Sequence, residues 1–196
     1  MVPNGVSIVT TTLNERENIE KLISSIRNVL QCLEHEIIVV DDNSQDGTIQ
    51  IANRLADVAV TKTREGQSKG LLYRMKMAKY PIIITIDADL ESDPADIPKL
   101  IQNINEFDIL LASRTKLPRI SEKIASKTLG KIIGVTDTFS NFRAYKKEII
   151  SKFNLRGGET FGAEFLVAAK KKRLRIGEIK YDPPPRRKRR KGYMYF

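Results

Sequence analysis

Residues 82–93 read IIITIDADLESD, and this pattern decides the fold of the chain. Four of the first five residues are isoleucine and none of the five is charged, which is typical of a strand covered on both faces in the middle of a parallel sheet. Acidic residues follow at alternate positions: Asp87, Asp89, Glu91 and Asp93. In an extended chain these four side chains would lie on one side and crowd their charges together.

The crowded carboxylates call for a counter-charge. An oxygen-rich site at the end of a buried strand suits Mg²⁺ or Mn²⁺, and a hard divalent ion commonly binds together with a phosphorylated ligand. In a second interpretation, Asp93 and Asp96 cap the helix before Pro98, and the other acids are simply solvated. The sequence is compatible with both.

Length and composition indicate an ordinary globular domain. The 196 residues are 41% hydrophobic and 30% charged, enough for one domain with a substantial core. Cys32 is the only cysteine, which excludes an intramolecular disulfide, and its place in SIRNVLQCL predicts a thiol packed on the apolar face of a helix. No signal peptide and no apolar run of about 18 residues is visible. We therefore expect a cytoplasmic protein.

The positive charge belongs to one end of the chain. Of the net charge of +10, residues 1–169 contribute nothing, since they hold 22 basic and 22 acidic residues. Residues 170–191 hold 12 basic and two acidic ones. We expect a domain over residues 1–182 and a tail over residues 183–196 that is proline-rich, then basic and aromatic.

Strand and helix patterns alternate from residue 6 to residue 114. This order predicts an α/β fold with an open, mostly parallel central sheet flanked by helices. Beyond residue 115 we expect a helix over 120–133, an alternating segment over 138–145, a helix over 161–172 and a half-exposed strand over 175–181. Ligands of such sheets bind at the carboxyl ends of the strands, where the sequence places these residues: Glu15, Asp42, Asp87, Asp89 and Arg114.

Five strings give the chain a family resemblance: TLNERENI, VVDDNSQDGT, IDADLESDP, ASR and FSNFRAY, in this order. Together they resemble the family 2 glycosyltransferases, and within that group the dolichol-phosphate (polyprenyl-phosphate) mannose synthases. The resemblance extends to about Arg186. It implies a GT-A fold and inverting transfer of a hexose, mannose or glucose, from a GDP- or UDP-sugar.

The resemblance also implies a donor site. By it, Glu15 and Asp42 contact the base and ribose of the nucleotide. Asp87 and Asp89 match the family's DxD motif, which holds Mg²⁺ or Mn²⁺ against the diphosphate, and Glu91 stands where the synthases carry a further metal ligand.

Further positions carried over from the family concern phosphate, acceptor and base. Arg114 is expected near the phosphates or the acceptor, Arg186 at a phosphate-binding position, and Glu164 in the acceptor-side helix. Thr11 and Leu13 replace a proline and an aromatic residue that line the nucleotide-binding pocket in the family. This departure leaves the identity of the base open.

The acceptor decides whether a catalytic base is needed. A lipid monophosphate, such as a polyprenyl (dolichyl) phosphate, has a second pKa of about 6 and is mostly a dianion at neutral pH. A saccharide hydroxyl must lose its proton during attack, and the carboxylates that could accept it are Glu159, Glu164 and Asp137. The chain has a single histidine, His35, and an arginine cluster near its end, which favours the phosphate acceptor.

The basic tail suggests where the protein works. Basic residues near an anionic bilayer each contribute about 1 kcal/mol of attraction, so we expect peripheral contact with the cytosolic membrane face. The tail could instead be a disordered, solubilising terminus, or could bind nucleic acid through RRKRRK; a nucleic-acid partner is not expected, because residues 1–169 are electrically neutral. A sugar nucleotidyltransferase is disfavoured, since the first loop lacks glycine.

Overall fold

A seven-stranded sheet forms the centre of the computed structural model, which describes residues 4–61, 72, 74–117, 119–153 and 161–184. The strands are β1 (Val6–Thr12), β2 (His35–Asp41), β3 (Val58–Thr61), β4 (Ile82–Thr85), β5 (Ile109–Arg114), β6 (Arg143–Lys146) and β7 (Ile176–Tyr181). Their spatial order is β3-β2-β1-β4-β6-β5-β7. Only β6 runs antiparallel to its neighbours, so the predicted mostly parallel sheet is confirmed.

The strand directions bring the predicted site residues to one edge. The carboxyl ends of β1, β2, β4, β5 and β7 lie at this edge because these strands are parallel to one another through the sheet. Since β6 runs the other way, its amino end reaches the same edge. The isoleucine-rich β4 is the middle strand of the sheet, and all of its residues are buried.

Helices cover both faces of the sheet. On one face lie α1 (Arg16–Val29), α2 (Thr48–Leu55) and α3 (Ile97–Asn103), whose buried side chains include Ile19, Leu22, Ala52 and Leu100. The opposite face is covered by residues 72 and 74–77, which are helical, and by the later helices α6 (Lys147–Ile150) and α7 (Phe161–Lys171). No helix in the part of the chain that the structure describes is long and apolar enough to span a bilayer.

The helix predicted over residues 120–133 is not a regular α-helix. It begins as α4 (Ile120–Ala125), passes through a π-helical segment (Ser126–Gly130) and ends as α5 (Lys131–Ile133). Gly130 permits the close return of the chain, since a Cβ there would lie 2.4 Å from the carbonyl oxygen of Val135. Gly134 ends the segment with a φ of +93°.

Of two other predictions, one is wrong and one concerns residues that are mostly outside the described part of the chain. Cys32 does not pack on a helix, because α1 ends at Val29 and the thiol-bearing residue is exposed; that prediction was wrong. Of the tail predicted over residues 183–196, residues 185–196 lie outside the described part of the chain, as does Glu159.

A buried aromatic cluster on the α7 face gives a test of the fold. Phe165 is fully buried, stacks on Phe153 with ring centroids 4.2 Å apart and meets Tyr145 edge-on at 5.5 Å. Phe165→Ala is expected to lower the free energy of unfolding in urea by about 3–5 kcal/mol, because it leaves a cavity. Phe139→Ala is the matched control, since Phe139 is 45% exposed. Similar losses for both variants would contradict this packing.

Candidate active site

The chain turns sharply just after β4, and this turn separates the four acids. Leu90 has a φ of +59°, and the backbone N–H of Glu91 donates to Asp89 Oδ1 at 2.9 Å. The chain is therefore not extended here. Asp87, Asp89 and Glu91 line one cleft, whereas Asp93 points its carboxylate to a helix start.

The capping interpretation thus holds for one acid. Asp93 is the N-cap of the 3₁₀ helix Pro94–Asp96, and its Oδ1 accepts a hydrogen bond from the backbone N–H of Ala95 at 2.9 Å. The expectation that all four carboxylates share one side was wrong for Asp93, because the turn at Leu90 breaks the alternation of an extended strand.

The cleft at the carboxyl edge of the sheet has a volume of about 270 Å³. Its walls come from the turn after β4, the end of β5, the start of α4, the turn before β6 and the end of β7. The lining residues are Asp87, Asp89, Glu91, Ser92, Arg114, Arg119, Ser121, Glu122, Phe139, Ser140, Asn141 and Tyr181.

Negative charge is concentrated where the turn after β4 lines this cleft. Burial and the neighbouring Asp89 raise the pKa of Asp87 to about 6, although hydrogen bonds from Asn141 and the charge of Arg143 act in the opposite direction. Burial also raises the pKa of Glu15, with a smaller contribution from Asp89. Carboxylates whose pKa values are raised in this way would gain from a nearby cation.

The carboxylates fit a hard divalent ion that keeps other ligands. Within the described ranges, no group of three or more His, Cys, Asp or Glu side chains is close enough to hold a metal ion by itself. Mg²⁺ usually binds to one or two carboxylates and completes its shell with water and substrate phosphates. Asp87 and Asp89 match that arrangement, with Glu91 beside them on the cleft wall.

The loops that follow β1 and β2 are bonded to each other. The backbone N–H of Asn14 donates to Ser44 Oγ at 2.8 Å, and that of Gln45 donates to Asn14 Oδ1 at 3.0 Å. The backbone N–H of Glu15 donates to Thr48 Oγ1 at 2.9 Å. These bonds fix the position of Glu15 at the amino end of α1.

The two acids at the end of β2 have different surroundings. Asp41 is fully buried, and it accepts hydrogen bonds from Thr12 Oγ1 and from the backbone N–H of Ser44, both at 2.8 Å. Asp42 is only partly buried, as are Thr11 and Leu13 on the neighbouring strand end. Asp41 therefore connects the end of β1 to the loop after β2. Asp42 is the acid of this pair that a ligand at the edge can reach.

Arg114 is paired with acids on the opposite side of the cleft. Its Nε and Nη2 donate to Asp137 Oδ2 and Oδ1 at 2.6 and 3.1 Å, and Nη2 lies 3.5 Å from Glu122 Oε1. The hydrogen bond that Arg114 donates to Asp137 raises the pKa of Arg114, which keeps the guanidinium charged. Asp137 is buried and also accepts from the backbone N–H of Ser140 at 3.2 Å, so it is badly placed to act as a base.

Arg143 supports the site from inside the fold, and its importance was not predicted from the sequence. It is fully buried, and its guanidinium donates to three backbone carbonyl oxygens: Ser140 at 2.6 Å, Gly162 at 2.8 Å and Thr138 at 2.9 Å. These bonds join the turn before β6 to the first turn of α7. The signal was a charged residue inside the otherwise apolar string FRAY.

Asn141 connects that turn to the acidic cluster. Its Nδ2 donates to Asp87 Oδ1 and Oδ2 at 3.3 and 3.2 Å, and its carbonyl oxygen accepts from Thr85 Oγ1 at 2.6 Å. Glu164 lies in the first turn of α7 and is partly exposed. In the same turn, a Cβ on Gly162 would lie 3.5 Å from Asn141 Oδ1. Arg186 lies outside the described residues.

Several known proteins resemble this chain in sequence. Residues 7–162 match the family model described as glycosyl transferase family 2. The dolichol-phosphate mannosyltransferase of Pyrococcus furiosus is 37% identical over 76% of this chain and 48% of that protein. An undecaprenyl-phosphate 4-deoxy-4-formamido-L-arabinose transferase of Pectobacterium atrosepticum is 30% identical over 75% of this chain and 50% of that protein. The chain spans about half the length of these curated relatives.

Solved structures show the same fold. Glucosyl-3-phosphoglycerate synthase from Mycobacterium tuberculosis, in complex with Mn²⁺, UDP and glucosyl-3-phosphoglycerate, has a TM-score of 0.78 and 21% identity, over 95% of this chain and 73% of that chain. The same enzyme with Mg²⁺ and UDP has a TM-score of 0.79, 20% identity and the same coverage. The fold is GT-A, as the family resemblance implies.

Two carboxylates at this edge of the sheet are expected to change the melting temperature in opposite directions when they are replaced by amides. Asp87→Asn is expected to raise the melting temperature without metal at pH 7.5 by about 3 °C, because it removes a carboxylate whose pKa the fold raises. The gain should shrink at pH 5, below the pKa of about 6, where wild-type Asp87 is itself protonated. Calorimetry at both pH values measures the effect.

Asp46→Asn is the matched control at the same edge. Burial acts to raise the pKa of Asp46, but hydrogen bonds from Thr48 and Arg16 outweigh it and lower that pKa. The ionised carboxylate therefore stabilises the fold at pH 7.5, and the substitution should lower the melting temperature. If both variants shift in the same direction, this description of the site's charge is incorrect.

Proposed function

The chain belongs to glycosyl transferase family 2, and from this premise we propose that it transfers a hexose from a nucleotide diphosphate sugar to a polyprenyl phosphate, with inversion. The observation that carries the proposal is the cleft at the carboxyl edge of the sheet. Its lining includes the carboxylates of Asp87 and Asp89 on one side and the partly buried guanidinium of Arg114 on the other.

The donor side of the cleft supports diphosphate binding. A Mg²⁺ or Mn²⁺ ion bound by Asp87 and Asp89, with Glu91 as a further ligand, would neutralise the charge that grows on the leaving nucleoside diphosphate. Asn141 holds the Asp87 carboxylate in place with its two hydrogen bonds. This leaves the carboxylate oriented before the donor arrives.

The nucleoside would lie along the ends of β1 and β2. We assign its contacts to Glu15 and Asp42, with Thr11 and Leu13 beside the base, since all four lie at this edge and are partly buried. Asn18 Nδ2 donates to Glu15 Oε2 at 2.7 Å and orients that carboxylate. We propose a GDP- or UDP-hexose as donor.

The acceptor side supports a phosphate nucleophile. A phosphate oxygen attacks the anomeric carbon, the bond from that carbon to the diphosphate oxygen breaks, and the electron pair leaves with the nucleoside diphosphate. No proton has to be removed, because the acceptor is already mostly a dianion. Two of the relatives carry the names of polyprenyl-phosphate sugar transferases. The charge of Arg114, and of Arg186 in the tail, would favour an anionic acceptor.

A saccharide hydroxyl is the alternative acceptor, and it would need a base. The structure describes two of the candidate bases. Asp137 accepts two hydrogen bonds from Arg114, whereas Glu164 is partly exposed in the first turn of α7. With a phosphate acceptor no base is needed, and Glu164 would instead be a positioning residue on α7, the acceptor-side helix. We propose that the reaction takes place at the cytosolic membrane face, with peripheral contact through the basic tail.

Asp89→Ala tests the proposed metal and diphosphate site. Transfer of labelled hexose from a panel of GDP- and UDP-sugars to a polyprenyl phosphate, followed by organic extraction, is expected to fall at least about 100-fold. Asp93→Ala is the control, because Asp93 caps a helix outside the cleft, and its activity should stay close to that of the wild type. Retained transfer by Asp89→Ala at saturating Mn²⁺ would refute the assigned role.

Glu164→Gln separates the two acceptor classes. With a polyprenyl phosphate, kcat should change by no more than a few-fold, because no base is required. A fall of about 100-fold or more would indicate general-base catalysis on a hydroxyl acceptor. The pH dependence of kcat gives the second readout: if the wild-type kcat falls at low pH and this fall is absent in the variant, that would also support the hydroxyl acceptor.

A further inference from the structure

Three isoleucines are exposed along the segment that borders the cleft. Ile120, Ile124 and Ile132 are 76%, 58% and 68% exposed, respectively. Large apolar side chains at these levels of exposure cost free energy in water unless something covers them. The basic residues on the same segment are also exposed: Lys123, Lys127 and Lys131.

The π-helical turn keeps the isoleucines in line. In an α-helix each residue advances about 100°, so Ile132 would lie about 80° away from Ile124 on an unbroken helix. A π turn accommodates one extra residue, which reduces this angle to about 20°. Ile120 and Ile124 are already neighbours as an i, i+4 pair. The irregular helix thus presents one apolar stripe in place of two divergent ones.

The charge around this stripe is positive. Residues 115–135 hold five basic residues and one acid, Glu122. That acid is buried, and its Oε1 lies 3.5 Å from Arg114 Nη2 and 4.0 Å from Arg119 Nε. The exposed charged side chains of the described part of this segment are therefore all positive.

The segment also forms a wall of the cleft. Arg119, Ser121 and Glu122 line the 270 Å³ cleft described above. Lys123 and Lys127 line a second hollow of about 490 Å³, together with Thr115, Lys116, Leu117 and Ser126. Ile120 and Ile124 are thus close in sequence to residues that line the cleft and the hollow.

We propose that the stripe of Ile120, Ile124 and Ile132, flanked by Lys123, Lys127 and Lys131, is the surface that rests on an anionic phospholipid bilayer. An interfacial helix has this composition, with apolar side chains that enter the acyl boundary and lysines that meet anionic headgroups. A second copy of the chain fits less well, because lysines would face lysines. The proposal rests on the proposed function, since the phosphate of a membrane-embedded acceptor could then reach the cleft without leaving the bilayer.

Vesicle binding tests the surface directly. The full chain is pelleted with phosphatidylcholine vesicles that contain phosphatidylglycerol, and the partition coefficient is measured for wild type, I120S/I124S and I132S. We expect I120S/I124S to lower it at least about tenfold and I132S to lower it less. Met77→Ser is the matched control, because Met77 is 64% exposed elsewhere. All variants retain the same tail, so the tail's contribution cancels.

Lysine variants and gel filtration give two further tests of the proposed membrane surface. K123Q/K127Q/K131Q should lose most of the preference for anionic vesicles and its salt dependence. Unchanged partitioning of both I120S/I124S and I132S would overturn the proposal. So would gel filtration showing that the isoleucine variants alter the oligomeric state while vesicle binding stays the same, since the stripe would then contact a second copy.

A soluble acceptor separates this inference from the proposed function. With a short, water-soluble prenyl phosphate and no vesicles, I120S/I124S should transfer hexose at the wild-type rate. If no prenyl phosphate accepts hexose but vesicle binding depends on the isoleucines, the surface stands and the proposed function fails. If transfer occurs and vesicle binding ignores the isoleucines, the surface alone fails.

Discussion

The constraint on which this structure depends is the burial of a carboxylate, with other carboxylates beside it, just after an apolar strand. Asp87 lies two residues after the end of β4, and Asp89 and Glu91 add negative charge beside it. Burial first, and these neighbours second, raise the pKa of Asp87 to about 6. A divalent ion bound there would favour the ionised carboxylate, which is why we propose this end of β4 as the metal site.

The single antiparallel strand organises the surroundings of these acids. Because β6 runs opposite to its neighbours, the turn before it reaches the carboxyl edge and places Asn141 against Asp87. Arg143, one residue into the sheet, binds three backbone carbonyls and fixes both that turn and the start of α7. One short string of sequence thus connects the acidic turn after β4 to the first turn of α7.

The sequence predicts the scaffold well because periodicity and charge are local signals. The buried strands, the edge at which Glu15, Asp42, Asp87 and Arg114 appear, and the family all follow from short strings. The missed features depend on contacts or backbone conformations that no short string reveals. The pairing of Arg114 with Asp137 joins residues 23 positions apart, and the separation of Asp93 from the other acids depends on a positive φ at a leucine.

The irregular helix shows the same limit. Residues 120–133 have the composition of a helix, but the π segment depends on the close return of the chain at Gly130. Its consequence is a stripe of exposed isoleucines, a feature that a regular helical pattern does not predict. The helix that lines one wall of the cleft thus continues into a segment whose exposed isoleucines are aligned by one π-helical turn.

The most direct test of the central claim is anomalous diffraction from crystals grown with Mn²⁺ and a nucleoside diphosphate. We predict a manganese peak within about 2.2 Å of carboxylate oxygens from Asp87 and Asp89, bridged to the diphosphate. A manganese ion bound elsewhere, or a diphosphate bound with both carboxylates uninvolved, would contradict the account.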